Sequence, residues 1–226
     1  MNNSVELLGY YGSDIIHAQS AWTSTSRDID ESKKARIPAL LKMLASEGHH
    51  TPFEKSSLHF LVNTDIATHI HLIKHRVGVS VNAESARYKE LKEDKFYLPE
   101  DWKDIQSSLI LASSMEDKDI ETWHEMLHDF TRYSNLLYHQ CLEELTPVLG
   151  RKRAKESARF FKTYNSQIAA DVQFNFRSFM HFQKLRNSEH AQLEVRELAQ
   201  QMLTLVQNIP GNPFEHSLKA FDYDFK

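Results

Sequence analysis

Six isolated glycines constrain this chain more than any other feature of its sequence. They stand at Gly9, Gly12, Gly48, Gly78, Gly150 and Gly211, so no segment can form the G-x-G-x-x-G turn of a dinucleotide fold or a phosphate-cradling P-loop. A nucleotide or cofactor must therefore be held by side chains. Proline is equally sparse, with six in 226 residues, and a chain so lightly punctuated favours long helices. Hydrophobic residues at 41% and charged residues at 26% support an ordinary globular core. The net charge of -4 supplies no global basic field for nucleic acid, so any anion must be captured locally. One cysteine, Cys141, excludes an internal disulfide and argues against a cysteine zinc site. The start carries no basic segment followed by an apolar run, and nowhere do eighteen apolar residues stand together. The expectation is a cytoplasmic protein with neither a membrane nor a nucleic acid as partner.

Helical spacing of Ile37, Leu40, Leu41 and Leu44 predicts a helix over Lys33 to Glu47, with Gly48 placed as its C-terminal cap. Ser56 to Asn63 reads as a strand, and Asp65 or Thr64 caps a short helix, IATHIHLIKHR. Residues 77–86 lack an apolar period and read as a loop before an extended piece, RYKEL. A long amphipathic helix is expected from about Ile120 to Leu145, and another from Arg151 to Lys162. YNSQIAADVQFNF reads as strand or loop, and two further helices follow at Asn175 to Leu185 and Ala191 to about Val206. No repeat or linker divides the chain. The fold class is α+β, mostly helical with a small central mixed or antiparallel sheet, in one domain over 1–226.

Four groups of residues offer chemistry. His124, Glu125 and His128 spell HEMLH, the H-E-x-x-H pattern in which two histidines one turn apart share zinc, which makes a zinc peptidase an alternative. No third ligand follows at a familiar spacing, and an ordinary helix face is the plainer reading. Cys141 could act as a nucleophile, yet Leu137, Tyr138, Leu142 and Leu145 place it in an apolar stripe, where a packed thiol is expected. His71, Lys74, His75 and Arg76 close a helix that opens into Ser80, Asn82, Glu84, Ser85 and Arg87. A solvated polar face competes there with a site for a phosphorylated ligand. Finally Asn175, Arg177, His181 and Arg186 punctuate an apolar helix, where an arginine needs either a salt bridge or a ligand.

These residues resemble a known family. GHHTPFEKSSLHFLV (Gly48 to Val62) and KHRVGVSVNAESARY (Lys74 to Tyr88) resemble the signature of the flavin-dependent thymidylate synthases, the ThyX family, whose hallmark is Arg-His-Arg, seven residues, then Ser, usually ending Ser-x-Arg-Tyr. ESARFF (156–161) and NFRSFMHFQKLRNSEHAQLEV (Asn175 to Val195) resemble its second segment, in the same order. The resemblance implies a homotetramer with shared active sites that methylates dUMP at C5 to dTMP. Methylenetetrahydrofolate supplies the carbon, FAD carries the reducing equivalents, NADPH reduces the flavin, and no cysteine nucleophile is used. Carried over by position, Ser24, Thr51, Lys74, His75, Arg76, Asn175, Arg177 and His181 are expected to meet FAD, with Glu54 nearby. His71, Lys74, Glu84, Ser85, Ala86, Arg87, Arg159 and Arg186 are expected to meet dUMP. Arg186 is the catalytic candidate, a fixed charge at the pyrimidine edge that favours loss of the N3 proton.

The sequence departs from the family pattern in four places. Lys74 replaces the first arginine of the triplet, a point charge for a planar fork. Eight residues rather than seven separate Arg76 from Ser85, so Ala83 or Glu84 fills the usual acidic position. His71 stands where glutamine is common, and His181 where asparagine is. Because these changes surround the nucleotide, a relative that transfers another one-carbon unit, such as hydroxymethyl, to dUMP is the alternative function. A nucleic-acid module using Lys74 to Arg87 is a third.

Overall fold

The structure, a computed structural model, describes residues 2–108 and 122–223. In chain order the elements are β1 (Ser4–Tyr11), α1 (Asp14–Trp22), α2 (Glu31–Ser46), β2 (Ser57–Asp65), α3 (Ile66–Ile73), β3 (Val79–Ala83), α4 (Trp123–Leu149), α5 (Arg151–Ala158), β4 (Gln167–Asn175), α6 (Phe176–Arg186), α7 (Leu193–Gln207) and α8 (Glu215–Ala220). The class is α+β, just over half helical, with one small antiparallel sheet. Two compact units can be separated. The first comprises Met1–Asn3, Thr64–His69 and Ala83–Ala169; the second comprises Ser4–Asn63, Ile70–Asn82 and Ala170–Lys226.

The second unit holds the body of the sheet, in strand order β1-β2-β4-β3. β1 and β2 pair antiparallel from Ser4 opposite Asn63 to Tyr11 opposite Ser57, with a register shift between Leu7 and Gly9. Alternation along the strands sends Leu58, Phe60 and Val62 of β2 and Ala170, Val172 and Phe174 of β4 to one fully buried face. Onto them pack Phe179 and Phe182 of α6, Phe60 lying parallel to Phe179 at 5.7 Å between ring centroids. Truncating a phenyl ring in such a layer costs about 3–5 kcal/mol. Helix α7 adds Val195, Leu198, Ala199, Met202 and Val206, all buried.

A polar chain runs through this apolar unit. Asp14, His17, Ser56 and Ser217 are all buried, and the His17 ring sits among Phe53, Phe176 and Phe214. Ser217 Oγ donates to the Asp14 carboxylate at 2.5 Å, so it accepts from His17 Nδ1 at 2.8 Å. His17 Nε2 is then an acceptor, and Ser56 Oγ donates to it at 2.7 Å. Every member has one direction. Burial lowers the His17 pKa to about 3, so the ring is neutral, while burial raises that of Asp14 against the hydrogen bonds from Ser217 and His216.

In the first unit α4 begins on a capping box. Thr122 Oγ1 accepts from Glu125 N, and Glu125 Oε2 accepts from Thr122 N at 2.9 Å. Tyr138 and Leu142 of α4 close over Ala154 and Ala158 of α5, and half-buried Cys141 packs against them, as a core thiol does. Lys162 is buried beside this core, donating to Asp94 and Asn135 at 2.7 Å each, over the Tyr138 ring.

Most elements follow the sequence reading, with shifted ends. Residues 79–83, expected as loop, form β3 beside β4, because pairing with a neighbour, which periodicity cannot see, makes them a strand. RYKEL is a turn rather than extended, since Ser85 O accepts from Tyr88 N and Lys89 N. Helix α3 stops at Ile73, so Lys74 to Arg76 lie on a loop. The helix expected to reach Lys162 ends at Ala158, followed by a 3-10 turn at Arg159–Phe161. YNSQIAADVQFNF contains β4, and Asp65, not Thr64, caps α3 by accepting from Thr68 N at 2.8 Å. The long helix begins at Trp123 and runs past Pro147 to Leu149; Ile120 and Glu121, expected within it, lie outside the described residues.

Candidate active site

Helix α3 ends before Lys74, and the loop from Lys74 to Gly78 turns back into β3. Its residues Lys74, His75, Arg76 and Val77, with Val79, form one wall of a cleft of about 370 Å³. Arg177, Ser178 and His181, on the first two turns of α6, form the other. Lys74 and Arg76 are exposed and make no ion pair among the described residues. Arg177 only approaches Glu54, at 4.0 Å. The cleft thus concentrates uncompensated positive charge between a loop and a helix, a setting for an anionic ligand.

One contact crosses from the loop to the far end of α6. Arg186 Nε donates to His75 Nε2 at 3.0 Å, and the His75 ring stands edge-on to buried Phe182, 5.0 Å between centroids. Arginine is always a donor, so His75 Nε2 carries no proton and the ring proton sits on Nδ1. Burial, then the charges of Arg186, His181 and His71, lower the His75 pKa to about 4. Histidine 75 is therefore a neutral acceptor that orients a permanent cation.

A second contact fixes the near end. Gly78 has φ +64 and its carbonyl accepts from Asn175 N at 2.8 Å. Asn175 Oδ1 in turn caps α6 by accepting from Ser178 N at 2.8 Å.

The phosphate candidates belong to the first unit and are already engaged. Glu84 N donates to Ala169 O, and Glu84 Oε2 accepts from Ala169 N at 3.0 Å while Oε1 pairs with Lys89 at 2.6 Å. Burial alone raises this carboxyl, but the bonds from Lys89 and Ala169 hold it below its ordinary range. Ser85 starts the turn described above, Ala86 is half-buried within it, and Ser85 Oγ accepts from Arg87 N at 3.3 Å. The Arg87 guanidinium bonds Glu156 through Nε at 3.1 Å and a terminal nitrogen at 3.0 Å. Arg159 is exposed at the head of its 3-10 turn.

Of the flavin candidates, Lys74, His75, Arg76, Arg177 and His181 line the cleft, and Arg186 reaches His75. His71 is near enough to His75 to influence its charge. Ser24 and Thr51 are exposed and outside the cleft lining, Ser24 Oγ donating to Ala21 O at 3.2 Å. Asn175 also stays out of the lining, as a helix cap. Sequence reasoning missed Ser178 and Glu156. The N-cap pairing of Asn175 with a residue three later was a signal for the first, and the acid inside a basic stretch, RKRAKESAR, for the second. In the HEMLH segment Glu125 belongs to the capping box and His128 Nδ1 meets Asp129 at 2.9 Å; among the described residues no group of three histidine, cysteine or acidic side chains could hold a metal.

The whole sequence also has relatives. The family described as "Thymidylate synthase complementing protein" matches residues 6–210. A "Flavin-dependent thymidylate synthase" of Gluconobacter oxydans (strain 621H) is 32% identical over 203 residues, 89% of this chain and 65% of that protein. The chain therefore spans slightly less than two thirds of that relative. One of Thermosipho melanesiensis is 31% identical over 221 residues, 97% of this chain and 91% of the relative. Among solved structures, a UMP/dUMP methylase, PolB from Streptomyces cacaoi, bound with 5-Br dUMP, aligns with a TM-score of 0.70 at 26% identity, over 99% of this chain and 96% of that one. The same enzyme bound with 5-Br UMP aligns at 0.72 and 25%, over 98% and 94%. Likeness of this extent, with the KHR and NFR segments facing one another across a single cleft, makes the chain a member of the flavin-dependent thymidylate synthase, or ThyX, family.

Proposed function

We propose that this protein methylates dUMP at C5 to dTMP, with FAD as cofactor and NADPH and methylenetetrahydrofolate as co-substrates. The observation that carries the reading is the cleft between Lys74–Val77 and α6, whose cations Lys74 and Arg76 find no acidic partner among the described residues. Such a charge set fits the phosphates of a dinucleotide, and it does so without a glycine-rich loop. FAD, when bound, supplies the reducing equivalents. Lys74, Arg76, Arg177 and His181 would hold it, with Ser24, Thr51 and Asn175 contributing from outside the cleft lining.

For the nucleotide, Ser85 and Ala86 present a turn, and Arg87 and Arg159 present cations, to the phosphate. His71 and Glu84 complete the proposed contacts, Glu84 chiefly by holding the turn in place through Ala169. Arg186 acts at the pyrimidine. Its charge favours the N3-deprotonated ring and so raises electron density at C5, and neutral His75 keeps the guanidinium aimed while adding no charge of its own. Cys141 is packed in the α4–α5 core and takes no part. Sites shared within a homotetramer, in the cytoplasm, complete the proposal.

The name of the Streptomyces cacaoi methylase motivates a second substrate, UMP. Purified protein is expected to show flavin absorbance that dUMP perturbs, and to yield dTMP by mass spectrometry. Flavin-free protein that binds neither FAD nor dUMP would sink the proposal, 5-hydroxymethyl-dUMP without dTMP would replace its product, and methylated UMP would widen its substrate range.

A further inference from the structure

We propose that Gly78 is a positioning residue for the cofactor, a clasp that sets the spacing between the cationic loop Lys74–Val77 and helix α6. The inference rests on reading the cleft as the flavin site. Three observations meet at this residue. Its φ of +64 lies in the left-handed region, which a side chain disfavours. Its carbonyl accepts from Asn175 N at 2.8 Å, at the N-terminal cap of the helix that carries Arg177 and His181. A Cβ placed on it would strike the Asn175 amide and the Ser178 hydroxyl, with Asn175 Cγ only 2.8 Å away. Loop and helix therefore touch backbone to cap, with no room for a methyl group between them.

The geometry has a further consequence. The His75 to Arg186 bond ties the same loop to the last residue of α6, so the loop is pinned at both ends of the helix. Cations on the two walls then hold a set separation before any ligand arrives, and binding need not order them. Gly78 sits in the segment that is one residue longer than the family pattern, and the left-handed turn accommodates the chain there. A residue with a side chain at this position must push the loop from the helix and move Lys74 and Arg76 away from Arg177. Because the bond from His75 acts at the other end, the displacement opens the cleft asymmetrically, on the side of Arg177.

The test is FAD titration of the full-length protein, followed by flavin fluorescence. Gly78→Ala is expected to weaken FAD binding by about tenfold or more, the scale of one left-handed strain or one lost register. Gly211→Ala is the matched control, because Gly211 has φ +76 and open space around it, so it imposes the backbone strain alone. It should lower the melting temperature and leave FAD affinity within twofold. Equal affinity in Gly78→Ala and wild type, or an equal loss in both variants, overturns the clasp. Absence of FAD binding by wild type overturns the flavin reading instead. Should Gly78→Ala fail to fold, hydrogen exchange on wild type decides. Slow exchange of the Asn175 amide, slowed further by FAD, supports the clasp; exchange at the rate of an open loop removes it.

Discussion

Two groups of cations in this protein live in opposite electrostatic circumstances. In the second unit Lys74 and Arg76 face a cleft with no acidic partner among the described residues, and Arg186 is oriented by a neutral imidazole. In the first unit Arg87 holds Glu156 through two bonds, and Lys89 holds Glu84. A cation kept without a counter-charge is costly unless a ligand supplies one, whereas a paired cation contributes to the fold with or without a ligand. The difference separates residues that wait for an anion from residues that shape a loop. Only the first kind should change affinity steeply with salt.

The comparison breaks most sharply at Arg186. Arg186→Ala should reduce turnover by about 10²–10³-fold with the far-UV spectrum unchanged, since it removes an oriented charge from the reacting ring. Retention of normal kcat would return Arg186 to a merely structural role.

Acid titration comes next. His17 and His75 have folded pKa values below the ordinary 6.5, at about 3 and about 4, so between those values and 6.5 the unfolded chain binds more protons. Their contribution to stability is present above pH 6.5 and is lost as pH falls toward 3. Asp14, with a raised pKa, works in the opposite direction at the acid end. Urea midpoints should fall from pH 7 to pH 5, with about 2 kcal/mol of that loss due to His17. His17→Gln should flatten the slope; an unchanged slope would show that His17 does not titrate on unfolding.

Smaller effects sharpen the contrast. Lys74→Ala and Arg76→Ala should each weaken FAD binding about tenfold and reduce its salt dependence, as loss of a charge-assisted bond does. Salt dependence identical to wild type would place those side chains away from the ligand. Glu156→Gln should raise the dUMP KM only a few-fold, because exposed pairs contribute little and Arg87 keeps its charge. A hundredfold change there would mean that Glu156 touches the nucleotide. His128→Ala should leave activity and flavin content unaltered, and any loss of either would reopen HEMLH as a functional segment.

Much of this was legible in the sequence, for local reasons. Helices α2, α6 and α7 declare themselves by apolar period, and Gly48 and Asp65 by cap chemistry. The cations of the cleft were visible as two separate clusters, Lys74 to Arg76 and Arg177 to Arg186, and the resemblance joined them. What stayed hidden depends on contacts between distant segments. Strand β3 is exposed at its centre and carries no apolar alternation, so only its place beside β4 makes it a strand. Asn175 looks like a ligand in the sequence and is a cap in the fold, because a short amide ahead of a helix serves either purpose. The partner of Arg87 is 69 residues away, beyond any periodicity.

The buried chain from Ser56 through His17 and Ser217 to Asp14 also has a meaning in time. Its bonds close loops of 39, 200 and 203 residues. During synthesis, helix α1 emerges almost first, yet the hydroxyl and backbone amide that satisfy Asp14 belong to residue 217. Until then a carboxylate and an imidazole destined for the interior remain in water, and the second unit cannot seal its core. Its folding is therefore a late event in the life of the nascent chain, completed when the C-terminal helix leaves the ribosome and returns to the beginning.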